Sequence, residues 1–326
     1  MRAIRLHEFG PPESLVYEEV EDPQPAPGQV RIAVAAAGVH LIDTTIRAGV
    51  QRGPLPLPDL PSIPGREVAG AVDAVGSGVD EAWLGRRVVA HLGPASGGYA
   101  ELAVRDVDAV HALPDGVAED EAVAMIGTGR TTLAILEVAQ LAQGDVALIT
   151  SAAGGIGSLL VQAARAAGAV PVALAGGEAK LERVRDLGAA VAIDYTAHDW
   201  PEAVREALGD TAITVAFDGV GGEVGRSALE LLAPGGRLIL FGFSSGELTR
   251  LSAADLFARG LTASAAIGPR IQSRPGGMRD LEERALAALA ERRLVPLVQR
   301  FALADAAAAH AALESRATVG KAVLVP

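Results

Sequence analysis

Three glycines between positions 153 and 158 directly follow the apolar run 146–149, and this arrangement suits phosphate binding. In the dinucleotide fingerprint, one small residue permits a tight turn, a second lets backbone approach the pyrophosphate, and a third lets helix pack on strand. Ala152, Gly154 and Gly157 occupy those places, so the pattern is AxGxxG. A merely tight strand–helix turn is the alternative reading. The predicted pyrophosphate-binding residues, at the positive end of the following helix, are Ala153, Gly154, Gly155 and Ile156.

The end of the next predicted strand, 170–175, bears on which ribose the site accepts. NAD sites usually carry Asp or Glu there to hold the 2′-hydroxyl, whereas NADP sites leave room and supply cations. This strand ends in a glycine pair that begins at Gly176, and Lys180 follows on the next helix. We therefore expect NADPH. Glu178 could instead serve NAD, and Lys180 and Arg183 could form an ordinary solvated helix face.

Two further glycine-rich loops, 218–222 and 241–246, each follow a predicted strand. Ligands bind at the carboxyl ends of strands in open α/β sheets, and small residues there let a flat ring approach the backbone. Either loop could be only a turn, but their similar placement favours binding. The residues that we assign to this part of the cofactor site are Val220, Phe241, Gly242 and Phe243.

Strands and helices alternate regularly between residues 121 and 267. The strands are predicted at 146–150, 170–175, 190–194, 213–218, 237–242 and 261–266, with helices at 156–167, 179–187, 200–208 and 223–232. Six strands with helical crossovers predict an α/β, doubly wound Rossmann domain with a parallel sheet.

The rest of the chain has a different pattern. Residues 1–120 carry short alternating runs separated by Gly and Pro, which predicts an all-β, barrel-like domain. Residues 268–326 hold two predicted helices, 281–292 and 304–314, and a closing strand that we expect to return to the first domain. The predicted domains are thus 1–120 with 268–326, and 121–267.

Composition excludes several classes of protein. The 326 residues include no cysteine, so disulfides, thiolate nucleophiles and Cys-containing zinc sites are ruled out. A formal charge of −12 argues against nucleic acid as a partner, because tracking phosphates needs a basic surface. No uninterrupted run of eighteen apolar residues suggests a membrane span, and residues 1–8 read as a strand rather than a signal peptide.

Motifs along the whole chain resemble the medium-chain dehydrogenase/reductase superfamily, in its zinc-free NADPH:quinone oxidoreductase, zeta-crystallin-like branch. The matching segments are GVHLID with RAG at 38–49, PGREVAG at 64–70, GGYAE at 97–101, GRT at 129–131, the loop at 152–157, FGFSSG at 241–246 and HAALESRATVGK at 310–321.

This resemblance implies a GroES-like β-barrel catalytic domain, a Rossmann domain and a cleft between them that holds NADPH. It also implies a homodimer in which the strand at 261–266 pairs across subunits. We expect the protein to be cytoplasmic. By position, Lys180 and Tyr195 would hold the 2′-phosphate. Phe241, Gly242 and Phe243 would lie along the nicotinamide, and Arg316 would reach the cofactor from the tail.

The same resemblance bears on metal. Zinc-dependent relatives place Cys at the position of His40 and His at that of Arg66. His40, Asp43 and Glu67 could in principle form a nitrogen-and-oxygen site, but the Arg66 cation opposes a divalent ion, so we expect none. Without a Lewis acid, hydride transfer to an electron-poor quinone or activated alkene is easier than reduction of a simple ketone.

The candidate catalytic residues are His40, Asp43 and Thr131. Relatives of this branch usually carry Asn where His40 stands, and tyrosines near Thr45 and Gln51 are missing here. His40 could donate a proton, replace the hydrogen bond of that Asn or be a plain wall residue. Thr131 could place a hydroxyl near the nicotinamide or acceptor. The other histidines are expected at the surface or in packing.

We expect, in sum, an NADPH-dependent reductase that transfers hydride to a small-molecule quinone or α,β-unsaturated carbonyl without metal. The alternatives are a zinc-free enoyl or carbonyl reductase of a biosynthetic pathway and a non-catalytic NADPH-binding protein. No nucleic acid, membrane or protein partner other than a second copy is signalled.

Overall fold

The computed structural model describes residues 1–51, 56–93 and 96–326. The chain divides into two compact units: unit 1 is Met1–Thr128 with Ala285–Pro326, and unit 2 is Gly129–Arg284. The strands of the described residues are β1 (Arg2–Leu6), β2 (Leu15–Glu19), β3 (Gln29–Gly38), β4 (Glu67–Val75), β5 (Arg87–His91), β6 (Leu102–Asp106), β7 (Val110–Ala112), β8 (Val146–Ile149), β9 (Val170–Ala175), β10 (Val191–Asp194), β11 (Ile213–Asp218), β12 (Leu232–Leu240), β13 (Thr262–Ala265), β14 (Val298–Ala302) and β15 (Lys321–Val325).

The α-helices of the same residues are α1 (Leu41–Arg47), α2 (Glu119–Ala124), α3 (Arg130–Ala139), α4 (Gly155–Ala166), α5 (Glu178–Asp186), α6 (Trp200–Leu208), α7 (Gly222–Leu231), α8 (Ala253–Arg259), α9 (Pro269–Gln272), α10 (Gly277–Ala290) and α11 (Ala306–Glu314). A π-helical turn, Met125–Gly129, joins α2 to α3.

Unit 2 contains a parallel sheet whose described strands run in the order β10-β9-β8-β11-β12-β13. This is the strand order of the Rossmann fold. The order in which successive strands are added to the sheet changes direction between β8 and β11. The prediction of a six-stranded, doubly wound sheet is confirmed. β12 begins at Leu232, earlier than the predicted 237, because Ile213 of β11 already pairs with Leu232 before a register shift.

Apolar side chains of β8 alternate between the two faces of the sheet. Ala147 and Ile149 join one core cluster with α4 residues such as Leu160. Val146 and Leu148 join another, together with Trp200 and Val204 of α6 and other residues. Both faces are therefore covered, as a parallel sheet requires.

Unit 1 is built around a mostly antiparallel sheet in the order β14-β15-β3-β4-β5-β7, with β6 also paired to β3. A separate hairpin joins β1 and β2. The core of this unit includes Ile32 of β3, Val68 of β4 and Leu324 of β15. The prediction of a β-rich domain of the GroES-like kind is confirmed.

The boundaries of the two units differ from the predicted 120/121 and 267/268. Helix α2 stays with unit 1, because it packs against β3, β4 and β5. In unit 2, Ile271 and Leu281 are buried in one cluster with Ala134 of α3, so the segment after β13 belongs with the Rossmann sheet.

One continuous helical stretch, Glu119–Ala139, is long and apolar enough to cross a membrane by length and composition. The sequence analysis found no uninterrupted run of eighteen apolar residues, because charged residues interrupt this stretch. About two thirds of its most apolar eighteen residues are buried within the protein (67%), which is typical of a core helix.

Candidate active site

The glycine loop after β8 has the geometry that its sequence predicts. Ser151 has a left-handed backbone (φ 52°), and α4 begins at Gly155 directly after the turn. A Cβ on Gly157 would lie 2.2 Å from the Ser151 carbonyl oxygen and 2.7 Å from Ala152 Cα. Gly157 therefore permits the close approach of helix and turn that the third fingerprint position requires. Ala153 and Gly154 directly precede this helix, and Gly155 and Ile156 are its first two residues.

The end of β9 carries Gly176, as predicted, but an acid from the neighbouring strand also reaches it. Asp194, the last residue of β10, accepts hydrogen bonds from the Gly177 amide (3.1 Å) and from both the amide and hydroxyl of Thr196 (2.9 and 2.6 Å). These hydrogen bonds, that of the Thr196 hydroxyl first, lower the pKa of Asp194. The carboxylate thus joins two turns at this edge of the sheet.

The other ionisable groups near β9 lie on α5. Glu178 pairs with Arg185 at 2.5 Å, and Arg183 faces solvent beside Asp186. Lys180 is half-buried, as is Tyr195 directly after β10. The structure therefore supports the solvated-face reading for Arg183 and places Gly176, Lys180 and Tyr195 at the same end of the sheet.

The loops after β11 and β12 are hydrogen-bonded to each other. The amides of Ser244 and Ser245 donate to the carbonyls of Gly219 (3.1 Å) and Val220 (2.9 Å). A Cβ on Gly242 would lie 2.8 Å from the Gly219 carbonyl oxygen, so glycine is needed for this approach. The structure thus brings Val220 together with Phe241, Gly242 and Phe243.

Asp218, at the end of β11, organises these loops. Its carboxylate is fully buried and accepts hydrogen bonds from the amides of Val220 (2.9 Å) and Gly221 (3.0 Å). The hydroxyls of Thr150 and Thr249 also donate to it. The sequence predicts Asp218 only as part of a loop, because its four partners come from three separate segments.

In unit 1, His40 lies in a compact cluster with Glu67 and Lys321. His40 Nε2 is 2.7 Å from Glu67 Oε1 and 2.9 Å from Lys321 Nζ, while Lys321 Nζ is 2.8 Å from Glu67 Oε2. The cause is topological: β3 lies antiparallel between β4 and β15, so its end meets their beginnings.

The Glu67 carboxylate is fully buried, and glycines make room for it. A Cβ on Gly127 would lie 1.6 Å from Glu67 Oε1, and one on Gly38 would lie 2.3 Å from Oε2. Burial alone would raise the pKa of Glu67, but the His40 and Lys321 charges outweigh it and hold that pKa well below its usual range. Glu67 is therefore ionised at neutral pH.

Asp43 is 5% exposed, and its two oxygens are occupied by neighbours. Oδ2 accepts from the His40 backbone amide (2.8 Å) and from the Tyr99 hydroxyl (3.1 Å), and Oδ1 accepts from Arg66 (3.3 Å). Tyr99 also lies 3.1 Å from His310 Nε2. Asp43 thus fixes the start of α1, from which His40 extends.

The sequence analysis missed three members of this network: Lys321, Tyr99 and His310. His310 is completely buried, and burial lowers its pKa to about 4, so it is neutral at pH 7. Each of these residues lies in one of the family motifs, at 97–101 or 310–321. Their contacts with residues 40–67 could not be predicted, because no local sequence pattern indicates which distant residues meet.

The two remaining predicted site residues lie in different units. Thr131 is half-buried in the first turn of α3, in unit 2. Arg316 is exposed in unit 1 and has a left-handed backbone (φ 58°) just after α11. Both assignments remain predictions. Among the described residues, no group of three or more His, Asp or Glu side chains is placed to hold a metal ion.

Family comparisons match both units. Residues 26–115 match the family "Alcohol dehydrogenase GroES-like domain", and residues 155–284 match "Zinc-binding dehydrogenase". The fold and these matches define a two-domain dehydrogenase/reductase.

Relatives span the whole chain. A quinone oxidoreductase from Pseudomonas aeruginosa is 34% identical over 100% of this chain and 99% of its own. A 2-haloacrylate reductase from Burkholderia sp. is 32% identical over 99% and 98%. The solved structure of Escherichia coli quinone oxidoreductase complexed with NADPH has a TM-score of 0.87 and 30% identity, with all of both chains covered. The chain belongs to the medium-chain dehydrogenase/reductase superfamily, in its quinone oxidoreductase branch.

Proposed function

We propose that this enzyme uses NADPH to reduce a quinone or an α,β-unsaturated carbonyl compound without a metal. The choice of NADPH rests on the arrangement of charged side chains at the end of β9. Asp194 already joins two turns there, Glu178 pairs with Arg185, and Lys180 lies half-buried at the same end of the sheet. The relative solved with NADPH supports the same choice.

Bound NADPH would supply a hydride from its nicotinamide ring. The chain itself would hold the cofactor: the amides before and within the first turn of α4 would bind the pyrophosphate, and Lys180 and Tyr195 would bind the 2′-phosphate. Val220, Phe241, Gly242 and Phe243 would line the nicotinamide, Thr131 would place its hydroxyl near that ring or the acceptor, and Arg316 would add a further cofactor contact.

His40 would hydrogen-bond or protonate the acceptor. Its Nε2 faces Glu67 and Lys321, and its side chain remains 25% exposed, so a ligand can reach the exposed part of the ring. Asp43 would act as a positioning residue, because both of its oxygens are occupied by the groups that fix α1.

Charge supports the proposal that no metal takes part. His40 and Glu67 could donate to a metal, but the Lys321 ammonium lies within 2.9 Å of both side chains, and the Arg66 guanidinium lies beside Asp43. Two cations among the potential ligands oppose a divalent ion. Metal analysis of the active enzyme, with turnover measured before and after chelation, tests this; stoichiometric zinc that turnover requires would contradict it.

The acceptor is proposed at the level of class. The name of the Pseudomonas relative, quinone oxidoreductase, suggests a quinone as the acceptor. The name of the Burkholderia relative, 2-haloacrylate reductase, suggests an activated alkene. An enoyl reductase of a biosynthetic pathway and a non-catalytic NADPH-binding protein remain the rival functions. A panel of quinones, enones and enoyl thioesters separates them, and no NADPH oxidation with any member would contradict the proposal.

The cofactor assignment is tested by titrating the protein with NADPH and NADH. The change Lys180→Ala should weaken NADPH binding about tenfold or more while leaving NADH binding nearly unchanged, because it removes a charged partner of the 2′-phosphate. Arg183→Ala is the matched control, since Arg183 lies on the same helix in an exposed pair. A preference for NADH, or equal effects of both variants, would refute the assignment.

We also propose that the enzyme is a cytoplasmic homodimer that pairs through β13. Among the described strands, β13 is an edge strand that pairs only with β12. Phe257, on the preceding helix α8, is 88% exposed, which is unusual for a large apolar side chain. Sedimentation of the protein and of Phe257→Glu tests this, and a monomer in both cases would refute it.

A further inference from the structure

Unit 1 contains a cavity of about 40 Å³ beside α1 that the reaction described above does not use. Its polar walls are Asp43, Arg47, Ser62, Arg66 and Ser96. On the same scale a single water needs roughly 10–15 Å³, so the cavity holds about three waters or one group the size of a carboxylate.

Arg47 is the main reason to expect a ligand there. The residue is 3% exposed, and its Nη2 pairs with Glu314 at 2.5 Å. Its Nε and Nη1 are buried and have no hydrogen-bond partner among the described residues. Leaving such N–H groups unpaired is unfavourable, so an acceptor is expected to enter the cavity.

Arg66 contributes a second guanidinium to the same wall. Its Nη2 donates to Asp43 at 3.3 Å, and its buried Nε also lacks a partner within the described chain. The charged groups at the cavity are thus the two arginines and Asp43, with Glu314 behind Arg47. Asp43 already accepts three hydrogen bonds, whereas the open groups are N–H donors, so the cavity favours an anion over a cation.

We propose that this cavity binds the carboxylate of the acceptor, which makes α,β-unsaturated carboxylic acids a substrate class of the enzyme. The proposal rests on the proposed function. A guanidinium pairs well with a carboxylate, and a cavity of about 40 Å³ suits a carboxylate group better than a bulkier tetrahedral phosphate. Asp43 lies between the cavity and His40, the residue proposed to contact the acceptor. One of its oxygens accepts from the His40 backbone amide and the other from Arg66 in the cavity wall.

The kinetic test compares 2-chloroacrylate with its neutral counterpart, 2-chloroacrylamide, as acceptors for NADPH oxidation. In the unmodified enzyme kcat/KM should favour the carboxylate about tenfold or more. Arg66→Gln should remove that preference mainly through KM, by about ten- to a hundredfold, since a charged hydrogen bond is lost. The control Arg31→Gln, which removes a surface pair with Asp73, should retain the preference. Equal loss for both acceptors would overturn the proposal.

A binding test needs no turnover. The saturated acid 2-chloropropionate should bind the protein by calorimetry, bind Arg66→Lys more weakly because the planar fork is lost, and fail to bind Arg66→Gln. No binding to the unmodified protein, or equal binding to all three, would overturn the proposal even if quinones are reduced. Binding without any NADPH-dependent turnover would instead refute the proposed function and leave the carboxylate site standing.

Discussion

The two units arrange their polar groups in opposite ways. Unit 1 gathers charged side chains in its interior, with Glu67 fully buried and Lys321 5% exposed. Unit 2 relies mainly on backbone amides in glycine loops, with the single buried carboxylate of Asp218 tying the amides of Val220 and Gly221 in place. The polar site of unit 1 therefore depends on the pairing of buried charges. The loops of unit 2 depend on glycines, whose lack of a side chain lets backbone segments approach closely.

This difference predicts which changes each unit tolerates. A buried ion pair is sensitive to the loss of one partner, because the remaining charge is left in a poorly solvated interior. A glycine loop is sensitive to an added Cβ, because the backbone atoms around it are already in contact.

Lys321→Met should destabilise unit 1 by about 3–5 kcal/mol, because it leaves the Glu67 charge buried without its ammonium partner. Urea unfolding measures the change. Adding Glu67→Gln should recover part of the loss, since the uncompensated charge is then removed. As a control, Arg205→Met breaks an exposed pair with Glu202 and should cost within about 0.5 kcal/mol. Similar losses in the two single variants would show that the cluster is not held by charge.

Gly157→Ala should destabilise unit 2 by ~2–3 kcal/mol and weaken NADPH binding, because its Cβ would lie 2.2 Å from the Ser151 carbonyl oxygen. Gly154→Ala is the matched control in the same loop. Its Cβ would lie 3.2 Å from that oxygen and its φ is an ordinary −79°, so we expect a change within about 1 kcal/mol. Thermal unfolding compares the stability of the two variants, NADPH titration reports the binding of Gly157→Ala, and equal stability loss at the two positions would contradict the steric explanation.

His310 should make unit 1 less stable in mild acid. Burial lowers its pKa to about 4 in the folded protein, whereas an unfolded histidine titrates near 6.5. The unfolded state therefore binds the extra proton as pH falls from 6.5 towards 4, and stability declines by about 2 kcal/mol at pH 5. His310→Gln should lose this part of the pH dependence, and His198→Gln, at an exposed position, should retain it. An unchanged profile in His310→Gln would assign the acid sensitivity to other groups.

Much of unit 2 could be predicted because its signals are local. The strand at 170–175 and the helix at 200–208 coincide with β9 and α6, since apolar periodicity and nearby glycines mark both. The start of β12 was missed because Pro234 and two glycines precede Arg237, and only pairing with β11 extends the strand across them. Asp194 was missed at the β9 tip for the same reason, since parallel pairing brings it there from the next strand.

The sequence by itself determined the Rossmann alternation, the AxGxxG loop, the lack of thiol chemistry and the superfamily. Each of these is a short-range pattern or a matter of composition. Only the tertiary structure decided that Lys321 pairs with Glu67 beside His40, and that Arg47 and Arg66 face one cavity. Those contacts join residues far apart in the chain, and they arise because β3 lies between β4 and β15 and α1 follows directly after β3. Strand order and burial, which no local pattern encodes, give these charges their partners.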